Sequence, residues 1–162
     1  MPLTPEEFSH VAAHIGAAVW QIQVLEETVA LHLVLVHKVD AKTARRDIEA
    51  MFAKASKQTL GQLLRGIRDS QKNPSDLLAL LETFVHERNW FIHHSREKRK
   101  DLDSDKKRAQ FVARIEALAA DALSLMTRFQ DLTETHLIAR GFDRAKIKAR
   151  ANQIYREWNT ET

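Results

Sequence analysis

Along the chain, apolar residues return every three or four positions, and the strict alternation of a half-buried strand is missing. Val11, Ile15, Ala18, Ile22, Leu25, Val29, Leu33 and Val36 predict one long amphipathic helix reaching about His37. Its start is marked by Thr4 as N-cap and Pro5 at the first helical position. Glu6 and Glu7 follow in the first turn, where carboxylates favour the positive end of the helix dipole. A second helix is expected from about Asp40 to Ser56, with Ile48, Met51 and Phe52 inward, and the segment TLGQLLRGIRDS makes a shorter one capped by Thr59. The tetrapeptide NPSD repeats the start signal with Asn73 as cap, opening a helix that carries Leu77, Leu80, Leu81, Phe84, Val85, Phe91 and Ile92 on its apolar side. Ser104 caps the next helix, whose stripe is Phe111, Ile115, Leu118, Ala122, Leu125, Phe129 and Leu132 and which Gly141 ends as a left-handed residue. Asp143 starts a last helix to about Trp158, with Ile147, Ile154 and Tyr155 as docking residues. Joined by short links, these elements predict an all-α, up-down bundle of four to five helices. It occupies residues 1–140, with a C-terminal helix, 141–162, docked on the same domain.

With 162 residues and no cysteine, the chain is expected to bury about two-thirds of its unfolded surface in one core, without disulfides, thiolate zinc or a cysteine nucleophile. The opening MPLTPEEFSHVAAH lacks the basic start and apolar run of a secretory leader. The most apolar stretch, Ala17 to Val36, is interrupted by Gln21, Gln23, Glu26, Glu27 and His32, which a lipid-exposed span tolerates poorly. The expectation is a cytoplasmic protein without membrane contact. A net charge of +3 says little about nucleic acid, whereas the placement of charge says more. Arg96 to Arg108 holds seven basic residues against four acidic, and the last predicted helix five against two. Taken alone, each is a solvated polar face. Beside a phosphate-handling site, Lys98, Arg99, Lys100, Lys106 and Lys107 become contacts to an RNA backbone.

Such a site is suggested by HERNWFIHHS, His86 to Ser95. Arg88 follows Leu81 by seven residues, at a core step of the pattern, and Ile92 comes four later. Asn89 and His93 are four apart and share a face, with His86 three before Asn89 on that side and Arg88 about 100° round the helix. Arginine is a fixed cation with a planar fork suited to phosphate, and histidine moves a proton near neutral pH. Together with asparagine they supply what metal-free RNA cleavage needs: a base for the 2′-hydroxyl, a charge for the phosphorane and an acid for the leaving oxygen. Arg88 and His93 are five apart, about 140° on an ideal helix. They meet at one atom only if the arginine reaches across, the helix is irregular, or a two-fold dimer brings two copies of the set into one cleft.

ERNWFIH, with Arg88, His93 and a polar Asn89 directly after the arginine, resembles the R-x4-6-H motif of HEPN domains, the higher eukaryote and prokaryote nucleotide-binding superfamily. IGAAVWQIQVLEETVALHL is similar to the first long helix of bacterial members, and KQTLGQLL to the segment before the motif helix; the similarity spans about residues 10–135. The resemblance implies a helical bundle that forms a homodimer with its motifs facing each other. It further implies a metal-independent endoribonuclease of toxin or phage-defence type, with RNA as substrate, no cofactor, and an antitoxin or defence-system partner. Arg88 would then bind and polarise the scissile phosphate, His93 act as general base or acid, and Asn89 orient phosphate or imidazole. His94 is not a motif position and stands in support. Ser95 occupies the place where members paired with nucleotidyltransferase antitoxins carry tyrosine, which disfavours that subgroup. Other members lack nuclease activity, so a non-catalytic nucleotide-binding or protein-interaction module is the alternative, and a purely structural dimer a third reading.

Plainer roles are open to the same residues. His93 and His94 complement a helix C-terminus when protonated, and Trp90, Phe91 and Ile92 suit a core or a dimer interface. Glu26 interrupts the apolar side of the first helix, where it pairs with Arg88, positions the motif histidine, or is a surface carboxylate beside a base. His32 and His37 are expected as partly buried, hydrogen-bonded histidines. Glu7, His10 and His14 make half of a carboxylate-bridged bundle site, but the second Glu-x-x-His is missing, so no metal is expected. Gly-rich phosphate loops and nucleophile elbows are absent.

Overall fold

A computed structural model describes residues 3–40, 42–70, 73–94, 102–146 and 149. The described chain is mostly helical. Helix α1, Pro5–His32, runs on through a π-helical turn, Leu33–Lys38; α2 is Arg45–Ala55, α3 Leu60–Asp69, α4 Ser75–His94 and α5 Asp105–Ala139. No strand occurs among the described residues, so the all-α bundle expected from periodicity is what forms. α1 lies along α5, α4 packs against α5 and α3, and the α2–α3 pair covers the π-helical end of α1. The run Pro5–Lys38 is long and apolar enough by composition to cross a bilayer, yet much of it is packed inside the bundle.

Local chemistry explains where the helices begin. Thr4 accepts a hydrogen bond from the Glu7 amide at 3.2 Å while Glu7 accepts one from the Thr4 amide at 2.9 Å, a reciprocal capping box. Thr59 and Gln62 repeat it on α3. Two expected starts are corrected. Asp40 does not open α2: its carboxylate accepts from the Lys42 amide and the Thr43 hydroxyl, closing a local turn, and the helix begins at Arg45 behind an Ala44 cap. The Lys42 amide bond, with the Thr43 hydroxyl next, holds the Asp40 carboxyl below the usual range. Asn73 does not cap α4 either; its amide is spent on two histidines. Ser104 stands at the cap of α5 without a side-chain bond. At the other end of α5, Gly141 has φ 89°, its amide donates to the Ile138 carbonyl at 2.9 Å, and the Phe142 amide donates to Leu137 at 3.1 Å, a Schellman ending. Asp143 accepts from the Ala145 amide at 2.7 Å, as a helix start would. The expected continuation to Trp158, with Ile147, Ile154 and Tyr155, lies outside the described residues.

The core is formed by Leu25, Val29 and Val34 from α1 and its π turn, Leu63 and Ile67 from α3, Leu77, Leu81, Phe84 and Phe91 from α4, and Ile115, Ala122 and Phe129 from α5. Burying each large side chain stabilises the fold by about 1.5–3 kcal/mol. Leu80 and Ile92, expected inward, are 48% and 46% exposed. They sit about 60° to either side of the middle of the arc Leu77, Leu81, Phe84, Phe91 that faces the core, just beyond its edges. Arg88 lies within that arc, so a cation holds a core step of α4.

Candidate functional site

Because α4 is a regular helix to residue 94, the directions of its motif side chains follow from its geometry. Arg88 points toward α1, where Nη2–H donates to Glu26 Oε1 at 2.9 Å, so the two expected partners do form an ion pair. Their side chains are 22% and 24% exposed, at the edge of the core and not behind it. Arg88 Nη1 lies 3.3 Å from Asn89 Oδ1, while Nε is buried with no acceptor among the described residues. His86, Asn89 and His93 are exposed, as their shared face requires. His93 is about 140° round from Arg88 on this unbroken helix, so the structure does not bring the two together within one chain. Ile92 is the exposed apolar residue beside them.

Other cations along α4 are also paired. Arg114 of α5 makes two bonds to Glu87, 2.9 and 3.1 Å, and its guanidinium carbon stacks 3.3 Å from the Trp90 ring centroid, so Trp90 is a partly buried packing residue with one face taken. Arg68 of α3 pairs with Glu82, and Arg128 of α5 with Asp76 at 2.6 Å, a bond that holds Asp76 below the usual carboxyl range. Lys106 and Lys107 are exposed on the first turn of α5. Lys106 lines a cavity of about 530 Å³ with Thr4, Glu7, Asp103, Asp105 and Arg108. Glu7 is nineteen residues, roughly 28 Å of helix, from Glu26, and three carboxylates share that cavity with its two cations. The side chain of His94, with Lys98, Arg99 and Lys100, lies outside the described residues. Among the described residues no group of histidines and carboxylates is arranged to hold a metal ion; His14 instead meets Glu116 at 3.3 Å.

The second polar cluster is at the other end of α1. His32 is 1% exposed, the one buried polar side chain among the described residues. Its Nδ1 lies 2.8 Å from the Thr133 hydroxyl and its Nε2 3.0 Å from Asn73 Oδ1, and Asn73 Nδ2 is 3.0 Å from His37 Nε2. The rings of His37 and Phe129 stand edge-on to His32, 5.4 and 5.0 Å away. Burial lowers the basicity of His32, its bond to Asn73 raises it in part, and His136 on α5 lowers it again, leaving it below the ordinary imidazole range. The sequence marks His32 and His37 as hydrogen-bonded histidines, but Asn73, Thr133 and His136 carry no signal there because they come from α5 and the start of α4.

No family model, curated protein or solved structure matches the chain.

Proposed function

We propose that the chain is a metal-independent endoribonuclease of the HEPN type, working as a homodimer in the cytoplasm under the control of an antitoxin or defence-system partner. The observation that carries this reading is the placement of Arg88. It is a cation on a core step of α4, a quarter exposed, held by Glu26, with one donor unsatisfied and with Asn89 and His93 on the adjoining open face. Since Arg88 and His93 diverge on one helix, the working pair combines Arg88 of one copy with His93 of the other across a two-fold axis, with exposed Ile92 at the contact. His93 takes the 2′-hydroxyl proton and the 2′ oxygen bonds to phosphorus. Arg88 stabilises the phosphorane, and the P–O5′ bond breaks as the 5′ oxygen gains a proton, leaving a 2′,3′-cyclic phosphate and a 5′-hydroxyl. The basic segment, Lys98 to Lys100 with Lys106 and Lys107, grips the strand.

The test is cleavage of RNA in EDTA with cyclic-phosphate ends, lost in His93→Ala and in Arg88→Ala while the far-ultraviolet spectrum keeps its helical form. Mixing the two inactive variants is expected to restore about a quarter of the activity, since half the dimers are mixed and each then has one intact pair of two. Cleavage without such rescue overturns the shared site. Absence of cleavage, with RNA or nucleotide still bound, selects the non-catalytic module, which the Glu26 carboxylate at 2.9 Å favours by already neutralising Arg88.

A further inference from the structure

The outer face of α1 takes no part in that mechanism, and what it implies is independent of the ribonuclease reading. We propose that this face, with the adjoining flank of α5, is a second contact between copies of the chain, in which Trp20 of each copy enters a hollow beside Trp20 of the other.

The sequence pattern sets this face apart. From Phe8 to Leu25, eighteen residues, the chain has no aspartate, glutamate, lysine or arginine, although the outward side of a surface helix ordinarily carries charge. Only one side of the stretch serves the core: Val11, Ala18, Ile22 and Leu25 are buried, whereas Ala13, Gly16 and Ala17 are exposed. Trp20 stands about 180° round α1 from the buried line and is 67% exposed, the largest apolar side chain left in water among the described residues. It is also about 120° round from Glu26, so this face is separate from the Arg88 cleft.

Beside Trp20 a hollow of about 220 Å³ opens between α1 and α5, lined by Trp20, Gln21, Val24, Leu123 and Met126. Leu123 at its edge is half exposed. An apolar cavity of about 150 Å³ admits benzene, so this hollow has room for an indole ring. Its one polar lining residue, Gln21, has an oxygen, Oε1, that is shut off from water and meets no donor among the described residues. Such an atom costs free energy until a donor reaches it. Indole Nε1–H is a donor with no acceptor of its own, and it wants a partner when buried. The Gln21 amide needs only to turn about its last torsion, a soft one, to present its oxygen to an entering ring.

Self-complementarity selects the occupant. A projecting ring and a hollow that suits it, side by side on one face, are what a two-fold contact requires, because each copy then gives its ring and receives its partner's. Near a two-fold axis every group also meets its own copy, so charged side chains there would repel, and this stretch of α1 has none. Eighteen helical residues run about 27 Å, and with α5 alongside the face is comparable with the roughly 800 Å² per partner of a stable contact.

The test measures mass by sedimentation over a dilution series, in the full chain and in Trp20→Ala, Leu123→Glu and Gln21→Leu, with circular dichroism to check folding. Trp20→Ala and Leu123→Glu, both at exposed positions, are expected to halve the mass: from two chains to one, or from four to two where the Ile92 contact is also made. Gln21→Leu strands the indole donor and is expected to weaken the contact by about tenfold or more. The Trp20 indole N–H, identified by NMR through its loss in Trp20→Phe, is expected to exchange slowly in concentrated solution and fast on dilution. Equal mass in the unaltered chain and Trp20→Ala, an unchanged constant in Gln21→Leu, or fast indole exchange at every concentration overturns the proposal. So does a single chain whose indole signal moves on adding vesicles of phosphatidylcholine and phosphatidylglycerol, which assigns the face to a bilayer. A single chain whose indole is protected at every dilution overturns it too, and assigns the face to residues 147–162 of the same molecule. Should Trp20→Ala fail to fold, Leu123→Glu and the indole signal decide. None of these positions belongs to the Arg88 site, so this contact and RNA cleavage stand or fall separately.

Discussion

Two pairs of residues five apart, Arg88 with His93 and His32 with His37, show how much the backbone decides at the scale of a side chain. On regular α4 the first pair diverges, while on the π turn the second pair shares an asparagine. Arg88 itself was legible, because seven residues after Leu81 a cation falls on a core step, and Glu26 was legible as the polar break in the apolar stripe of α1. Their union at 2.9 Å is partly buried, so removing one partner leaves a poorly solvated charge. Glu26→Ala is expected to lower unfolding free energy by about 1–3 kcal/mol. Arg88→Met, which keeps the hydrocarbon stem, is expected to cost less. A double-mutant cycle by urea denaturation checks this, and a coupling near zero would mean that the pair is incidental to the fold.

Helix starts were read correctly where the cap residue had no other offer and misread where it had one. Thr4 and Thr59 each form the capping box their sequences advertise, whereas Asp40 closes a turn on itself and Asn73 turns to the histidines. The competing partners are local for Asp40 and remote for Asn73, and only the former type is visible along the chain. The ending of α5 was legible because glycine, having no Cβ, takes up the φ of 89° found at Gly141, a conformation that L-residues resist. Space is open around its Cβ position, so Gly141→Ala tests the backbone alone. It should cost about 1 kcal/mol, and Thr59→Ala a similar amount. Each is expected to lower the thermal midpoint followed by circular dichroism, and an unchanged midpoint in both would show that these ends do not matter to stability. α4 is held by ion pairs to both neighbours, Asp76 to Arg128, Glu82 to Arg68 and Glu87 to Arg114. As exposed pairs they fix its rotation more than they stabilise it.

For the molecule as a whole, one core runs from Val11 on α1 to Phe129 on α5 and takes side chains from every helix except most of α2, which contributes Ala55 and a partly buried edge of Ile48, Met51 and Phe52. With no second core among the described residues, unfolding is expected to be a single transition. In urea, far-ultraviolet circular dichroism and tryptophan fluorescence should give the same midpoint. Separate midpoints would indicate that the α2–α3 end opens independently of the α1–α4–α5 bundle.

The spacing of apolar residues by itself determined the all-α class, the long helices and most of the core that α1, α4 and α5 supply, since burial of one stripe per helix is a property each segment carries alone, whereas Leu60, Leu63, Leu64 and Ile67 of α3 were not named from it. It also determined that an arginine would sit on an inward step of α4. Tertiary structure alone decided that Leu80 and Ile92 stay outside, that Glu26 is the group Arg88 meets, and that a histidine from α1 is locked by residues more than forty and one hundred positions away. The physical reason is the same in each case. Periodicity states which side of a helix is apolar, but which neighbour a polar group finds there depends on helices brought together from distant parts of the chain, and on a change of helical pitch that no local pattern announces.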